Sequence, residues 1–316
     1  MRRVFGLLLL LTGSVAAQRS AGWGNPPPAA IAGLGYTLPP AFFRAAPGQI
    51  VSLMVYGLNY KQATPIVATG VPLPTSLGGI SVTLAQGGNT FQVPLLSVRQ
   101  VCSATPCAPL TVVTVQIPFE VFARCVPCGV VSVPGTLTVS QTGGPSGGVL
   151  VGDFLFDQIH VTSMCDTTAD PLSSVGPCAK VITHTDGVIV DGQHPARPGE
   201  ELVMYAFGLG RTTPALTTGT AAPNPGPVIV PEAFSLNFEI GTNVPPELPG
   251  LPVASAVHPD YVGAVAGFVG LYQVNFRAQF SGVVKDLPSC AGTGANLTVT
   301  LYSINSFDGA GICVAP

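Results

Sequence analysis

Charge is what this sequence has least of. Asp, Glu, Lys and Arg make up 9% of its 316 residues, where about 25% is ordinary for a globular chain. With 12 Lys+Arg against 15 Asp+Glu, no basic field exists to hold phosphates, which excludes a nucleic-acid binder. Aromatics are scarce too, at 7% with one Trp, so a sugar-binding platform of stacked rings has little to build on. Four histidines are the only side chains that ordinarily titrate near neutrality. Beyond the N-terminus, the most apolar stretch, Val262 to Tyr272, is flanked by Asp260 and Gln273 and falls short of the ~20 residues a membrane helix needs. No window carries a helical face. The 38 glycines and 32 prolines work against long helices.

What is present begins with an export pattern. Arg2 and Arg3 form a positive start, Val4 to Leu11 an apolar run, and Val15-Ala16-Ala17 a small-residue cleavage site, as in a signal peptide spanning residues 1–17. A chain that crosses to an oxidising compartment gives its eight cysteines a meaning. Cys102, Cys107, Cys125, Cys128, Cys165, Cys178, Cys290 and Cys313 are expected as disulfides between neighbours: 102 with 107, 125 with 128, 165 with 178, and 290 with 313. Crossed pairing within the first four stays open. So does a zinc site there, because Cys102-x4-Cys107 followed by Cys125-x2-Cys128 has roughly zinc-ribbon spacing.

Residues 18–45 read as a Pro-rich leader, with Asn25-Pro26-Pro27-Pro28 and Leu38-Pro39-Pro40. After Pro47 the pattern becomes short alternating runs punctuated by Gly and Pro, which predicts an all-β protein. Strands are expected over Ile50–Tyr56, Gly79–Leu84, Thr90–Val98, Leu110–Phe119, Gly135–Ser140 and Phe154–Thr162. A second series is expected over Ala179–Val190, Glu201–Phe207, Ala233–Ile240, Gly267–Ala278 and Asn296–Ile304.

The chain also repeats itself. Ala46-Pro47-Gly48-Gln49 through Leu58 aligns without a gap on Arg197-Pro198-Gly199-Glu200 through Leu209. Each copy has a Pro-Gly turn, then a strand with apolar inward positions: Val51, Leu53 and Val55 in one, Leu202, Met204 and Ala206 in the other. The parallel continues through Thr64-Pro65 and Thr69-Gly70, matched by Thr213-Pro214 and Thr218-Gly219. Two tandem immunoglobulin-like β-sandwiches are therefore expected, over residues 46–164 and 165–316.

Three ordered segments extend this reading: Pro195 to Glu200, Tyr205-Ala206-Phe207-Gly208-Leu209-Gly210, and Gly263 to Phe276 with its Val269 to Asn275 core. Together they resemble the immunoglobulin-like, IPT/TIG-style C-terminal module of secreted acidobacterial proteins, a family of uncharacterised activity. The resemblance covers about residues 45–316 and is strongest from Asp186 to Arg277. The extra cysteines and the longer segments around Cys102 to Cys128 depart from it. It implies export and fold, and carries over no catalytic residue.

The search for chemistry finds little. Gly144-Pro145-Ser146-Gly147-Gly148 matches the hydrolase G-x-S-x-G pattern, but its setting lacks the helix that makes a nucleophile elbow. His160, His184, His194 and His258 have no acid at a telling spacing. Asp153 with Asp157 is expected on one strand face, and Glu200-Glu201 adjoin a turn; neither pair suits glycoside cleavage. Asp166 with Asp170, and Asn305 with Asp308, are the local oxygen clusters that calcium would use. Gly208 and Gly210 begin a G-x-G, but Thr213 stands where the third Gly of a dinucleotide fingerprint belongs. Among the tyrosines, Tyr56 and Tyr272 are expected as packing groups.

The expectation is an exported, non-enzymatic binding, adhesion or structural module, secreted, at the cell surface or in the periplasm. It has no cofactor, no nucleic-acid partner and no membrane span once mature, and its partners would be weakly charged, such as glycans or envelope proteins. The alternatives are a secreted hydrolase assembled from distant loops with His160, His184 or Ser146, and a subunit of an envelope assembly.

Overall fold

The structure is a computed structural model that describes residues 29–36, 44–58, 60, 64–102, 109–125, 129, 133–144, 146–166, 179–241, 257–278, 287–290 and 294–315. The chain is all-β. In order come β1 (Ala30–Gly35), β2 (Arg44–Ala45), β3 (Ile50–Tyr56), β4 (Ile66–Val67), β5 (Ser76–Leu77), β6 (Ile80–Gln86), β7 (Asn89–Val93), β8 (Leu95–Cys102), β9 (Pro109–Gln116), β10 (Gly135–Gln141) and β11 (Ser146–Phe154). There follow β12 (His160–Val161), β13 (Ile182–His184), β14 (Glu201–Phe207), β15 (Ser235–Ile240), β16 (Tyr261–Ala264), β17 (Tyr272–Arg277), β18 (Leu297–Tyr302) and β19 (Phe307–Ile312). A single 3-10 turn at Pro231–Ala233 is the one helical element described. No described helix is long and apolar enough to cross a membrane.

Two sheet pairs result. One sheet runs β1-β3-β9-β8-β4 and faces a second of order β2-β11-β10-β6-β5, with β7 also on β6. Their shared apolar cluster takes Val51, Leu53 and Val55 from β3 and Val82, Leu84, Leu137, Val139 and Phe154 from the opposing sheet. The other pair sets β12-β14-β17-β16, with β13 on β14, against β15-β18-β19. Leu202, Met204 and Ala206 meet Leu297, Val299 and Leu301 there. One cluster ends at Phe154 and the other begins at Ile159.

The repeat is a repeat of geometry. β3 and β14 occupy the same alignment columns from first residue to last. Both preceding turns hold glycine at φ 76°, Gly48 and Gly199, in the left-handed region where a Cβ is penalised. In both, the fourth residue closes the turn twice. Gln49 N–H donates to the Ala46 carbonyl at 3.2 Å, and its Oε1 accepts from Ala46 N at 2.8 Å. Glu200 N–H donates to the Arg197 carbonyl at 3.0 Å, and its Oε2 accepts from Arg197 N at 2.7 Å.

Several expectations need correction. Within the leader, Ala30–Gly35 is a strand, paired antiparallel with β3. The strand expected over Phe154–Thr162 is divided, because Phe156-Asp157-Gln158 leaves the first sheet pair and His160–Val161 joins β14. Thr90–Val98 is two strands broken at Pro94, which lacks the N–H a ladder needs. β19 was missed. Cys290 and Cys313 do form the expected disulfide, with Cα atoms 5.7 Å apart. Cys125 and Cys165 are disulfide-bonded as well, so a zinc cage of thiolates that uses Cys125 is ruled out. Cys107, Cys128 and Cys178 lie outside the described residues.

The sheet pairs meet through the segment that follows β14. Arg211 donates to the carbonyls of Phe119 at 3.0 Å and Val121 at 2.6 Å. Thr218 Oγ accepts from Phe119 N at 2.9 Å and donates to Glu120 at 2.6 Å. Gly219 N–H donates to Gln116 Oε1 at 2.6 Å, and its carbonyl accepts from Leu73 N at 2.8 Å. Thr69-Gly70, the matching residues of the first copy, are exposed. A Cβ on Gly208 would lie 2.1 Å from the Gln158 carbonyl oxygen, and one on Gly210 would lie 2.2 Å from that of Phe156.

Candidate functional site

The four histidines all have structural partners. His160 lies opposite Phe207 in the β12–β14 ladder. Its Nε2 is 3.0 and 2.9 Å from the Asp166 carboxylate oxygens, and its Nδ1 is 3.6 Å from Asp308 Oδ2. Tyr36, from the end of β1, stacks on its ring with centroids 3.6 Å apart and planes 6° from parallel. The Tyr36 hydroxyl donates to the Ile50 carbonyl at 2.6 Å and accepts from Gln49 Nε2 at 2.9 Å. Burial lifts this phenol well above its ordinary pKa; Gln49 pulls it down, and the Asp166 and Asp308 carboxylates add to the rise. The hydroxyl pins Tyr36 within its own sheet pair, and the ring, stacked on His160, reaches across to the other. Asp308 Oδ2 also accepts from Lys180 Nζ and from Val161 N, each at 2.7 Å.

His184 Nδ1 is 2.7 Å from Glu200 Oε1, and its Nε2 is 3.1 Å from the His194 carbonyl. His194 Nδ1 is 3.3 Å from Asp191, and His258 Nδ1 is 2.6 Å from the Phe234 carbonyl. Ser146 opens β11 and lies opposite Ser140 across a register shift. The chain there runs on as strand, so the nucleophile elbow is absent.

The carboxylate pairs are likewise separated. Asp153 takes Arg124 Nε at 3.0 Å. Asp157, off the strand and buried, accepts from Ser303, from Ser306 Oγ at 2.6 Å and from Asn305 Nδ2 at 2.7 Å. Burial raises its pKa, and those three donors offset only part of the rise. Asp157 thereby ties the crossing between sheet pairs to the β18–β19 turn. Glu201 accepts from Asn275 Nδ2 at 3.2 Å. Asn305 and Asp308 serve these partners, and among the described residues no group of three or more His, Cys, Asp or Glu is placed to hold a metal ion. Asp170 and Trp23 lie outside the described residues. Tyr272 is buried and donates to the Gly210 carbonyl at 2.5 Å; Tyr56, expected to pack, is 40% exposed.

What is open is a face. With Leu202, Met204 and Ala206 turned to the core, Tyr205 and Phe207 lie on the outer side of β14. Tyr36 covers Phe207, ring planes 5° apart. Beyond it, Thr162, Val181, Tyr205, Val265, Phe268 and Leu271 line a shallow depression of about 320 Å³ with no charged residue. Phe268 and nearby Met164 are each 56% exposed. The face is not legible in the sequence, since its members come from four separate segments; Tyr205, Val265, Phe268 and Leu271 fall in the segments that carry the family resemblance, which give no sign of their direction. Tyr36 and Arg211 were missed also.

No family model matches the chain, and no curated protein matches it either.

Proposed function

We propose that the chain is an exported, non-enzymatic protein of two tandem immunoglobulin-like β-sandwiches, related to the secreted acidobacterial module and acting by contact at the cell surface or in the extracellular matrix. The separate apolar clusters ending at Phe154 and starting at Ile159 support two domains. The observation that carries the functional reading is the fate of the polar candidates. Each histidine is bonded within the fold, Asp153 and Asp157 are committed to separate partners, and an uncharged apolar depression lies open beside Tyr205 and Phe268. A surface of that kind suits weakly charged partners such as glycans or envelope proteins. Purified protein should turn over no ester, peptide or glycan substrate, and should bind a glycan array or isolated envelope fraction in a way that Phe268→Ser weakens. Turnover abolished by substituting His160, His184 or Ser146 would replace this reading with the hydrolase.

A further inference from the structure

His184 is the histidine with a hydrogen-bond acceptor at close range on both ring nitrogens. Glu200 Oε1 lies 2.7 Å from Nδ1 and the His194 carbonyl 3.1 Å from Nε2. A carboxylate and a peptide carbonyl can only accept, whereas neutral imidazole donates from one nitrogen. Satisfying both partners requires the doubly protonated ring.

We propose that His184 is a proton-gated latch, whose imidazolium holds the Asp191–His194 turn to the Pro-Gly turn before β14 and whose deprotonation frees the Asp191–His194 turn. The ring joins three pieces of chain: β13, the Arg197–Glu200 turn and the Asp191–His194 turn. The last is otherwise built on itself, with Asp191 Oδ1 accepting from Gln193 N at 2.8 Å and His194 N at 2.7 Å. The charges that act on the imidazole are the carboxylates of Glu200, from the first turn, and Asp186, from the hairpin after β13. Arg197 acts on Glu200, and Asp191 of the second turn faces His194. Burial pushes the His184 pKa down, but the Glu200 bond, the His194 carbonyl and the charges of Glu200 and Asp186 outweigh it and leave the group above 6.5. Burial pushes Glu200 up; the Arg197 N–H, the His184 bond and the neighbouring cations more than reverse that and hold it below 4.5.

The sign follows. A raised histidine contributes its full stabilisation below the unfolded pKa of about 6.5 and loses it as pH rises through the folded value. A lowered glutamate contributes above its unfolded value and loses that only as pH falls through the folded one. The latch is therefore closed in mildly acidic solution and opens on the alkaline side. On opening, the surviving proton stays on Nδ1 with the charged Glu200, so the Nε2 lone pair faces the His194 oxygen and repels it. The first copy has no such dependence. Gln49 caps the equivalent turn with its amide oxygen, while its Nε2 donates to Tyr36 and to the Gln158 carbonyl at 3.3 Å at any pH.

The test is NMR of the full chain from pH 5 to 9, following imidazole nitrogen shifts and amide exchange. At pH 6 both His184 nitrogens should carry protons. Protection factors of Gln193 and His194 should fall about tenfold or more as His184 titrates, while β14 amides stay unchanged. Glu200→Gln should lower the titration midpoint by about one unit or more; His184→Gln should abolish the step. A ring with one proton at pH 6, or protection that shows no step in the unmodified chain, overturns the proposal. The wild-type and Glu200→Gln measurements decide it even if His184→Gln fails to fold.

Discussion

The duplicated Pro-Gly turn separates backbone strain from packing in one molecule. Gly48 and Gly199 share φ 76°, so alanine at either pays about 1–2 kcal/mol for the left-handed conformation. Their surroundings differ. A Cβ at Gly199 has nothing within 4 Å, while one at Gly48 would lie 2.1 Å from Phe119 Cε1 and 2.2 Å from Cζ. Phe119 cannot retreat freely, because its N–H is bonded to Thr218 and its carbonyl to Arg211. Overpacking of this kind adds about 1–3 kcal/mol. Gly199→Ala should therefore cost about 1–2 kcal/mol and Gly48→Ala about 2–5, compared by urea unfolding at one pH. Combining Gly48→Ala with Phe119→Ala should cost less than the two single changes added together, a coupling of more than about 0.5 kcal/mol. Equal losses at the two glycines would refute the assignment of Phe119 as the packing element that distinguishes them.

Three further outcomes are expected. Tyr272→Phe strands the buried Gly210 carbonyl and should lose about 1–3 kcal/mol, read from the shift in unfolding midpoint; no loss would mean water replaces the hydroxyl. Asp157 has a raised pKa in the fold, so its share of stability is complete below about pH 3.9 and lost as pH rises through the folded value; the melting temperature of Asp157→Asn relative to wild type should climb over that window, and parallel curves would count against it. Replacing both Cys290 and Cys313 with Ala opens a loop of sequence separation 23 and should cost about 3 kcal/mol, seen in thermal melts against the unmodified chain without reductant.

How far the fold could be read from residues depends on which force set each element. β3 and β14 are legible to the residue because a Pro-Gly turn starts each and apolar side chains hold every inward position, Val51, Leu53 and Val55 in one and Leu202, Met204 and Ala206 in the other. β1 was not, because Ala30 to Gly35 is Ala- and Gly-rich and lies among prolines; it is a strand through the ladder that β3 offers. β19, Phe307-Asp308-Gly309-Ala310-Gly311-Ile312, has weak strand propensity and forms by pairing with β18. For His160 no acid stands at a telling spacing in the sequence; Asp166 comes from the turn just after β12 and Asp308 from the last hairpin. His184 and Glu200 were each singled out, yet only the β13–β14 pairing beside the turn brings them together.

Gly208 and Gly210 leave the crossing between the sheet pairs without slack. Backbone lies on backbone there because no side chain stands between, and that close approach lets the bonds of Arg211, Thr218 and Gly219 fasten one half to the other. Such an arrangement cannot be adjusted by degrees. One added methyl group at either position would press on a carbonyl oxygen and force the two halves apart.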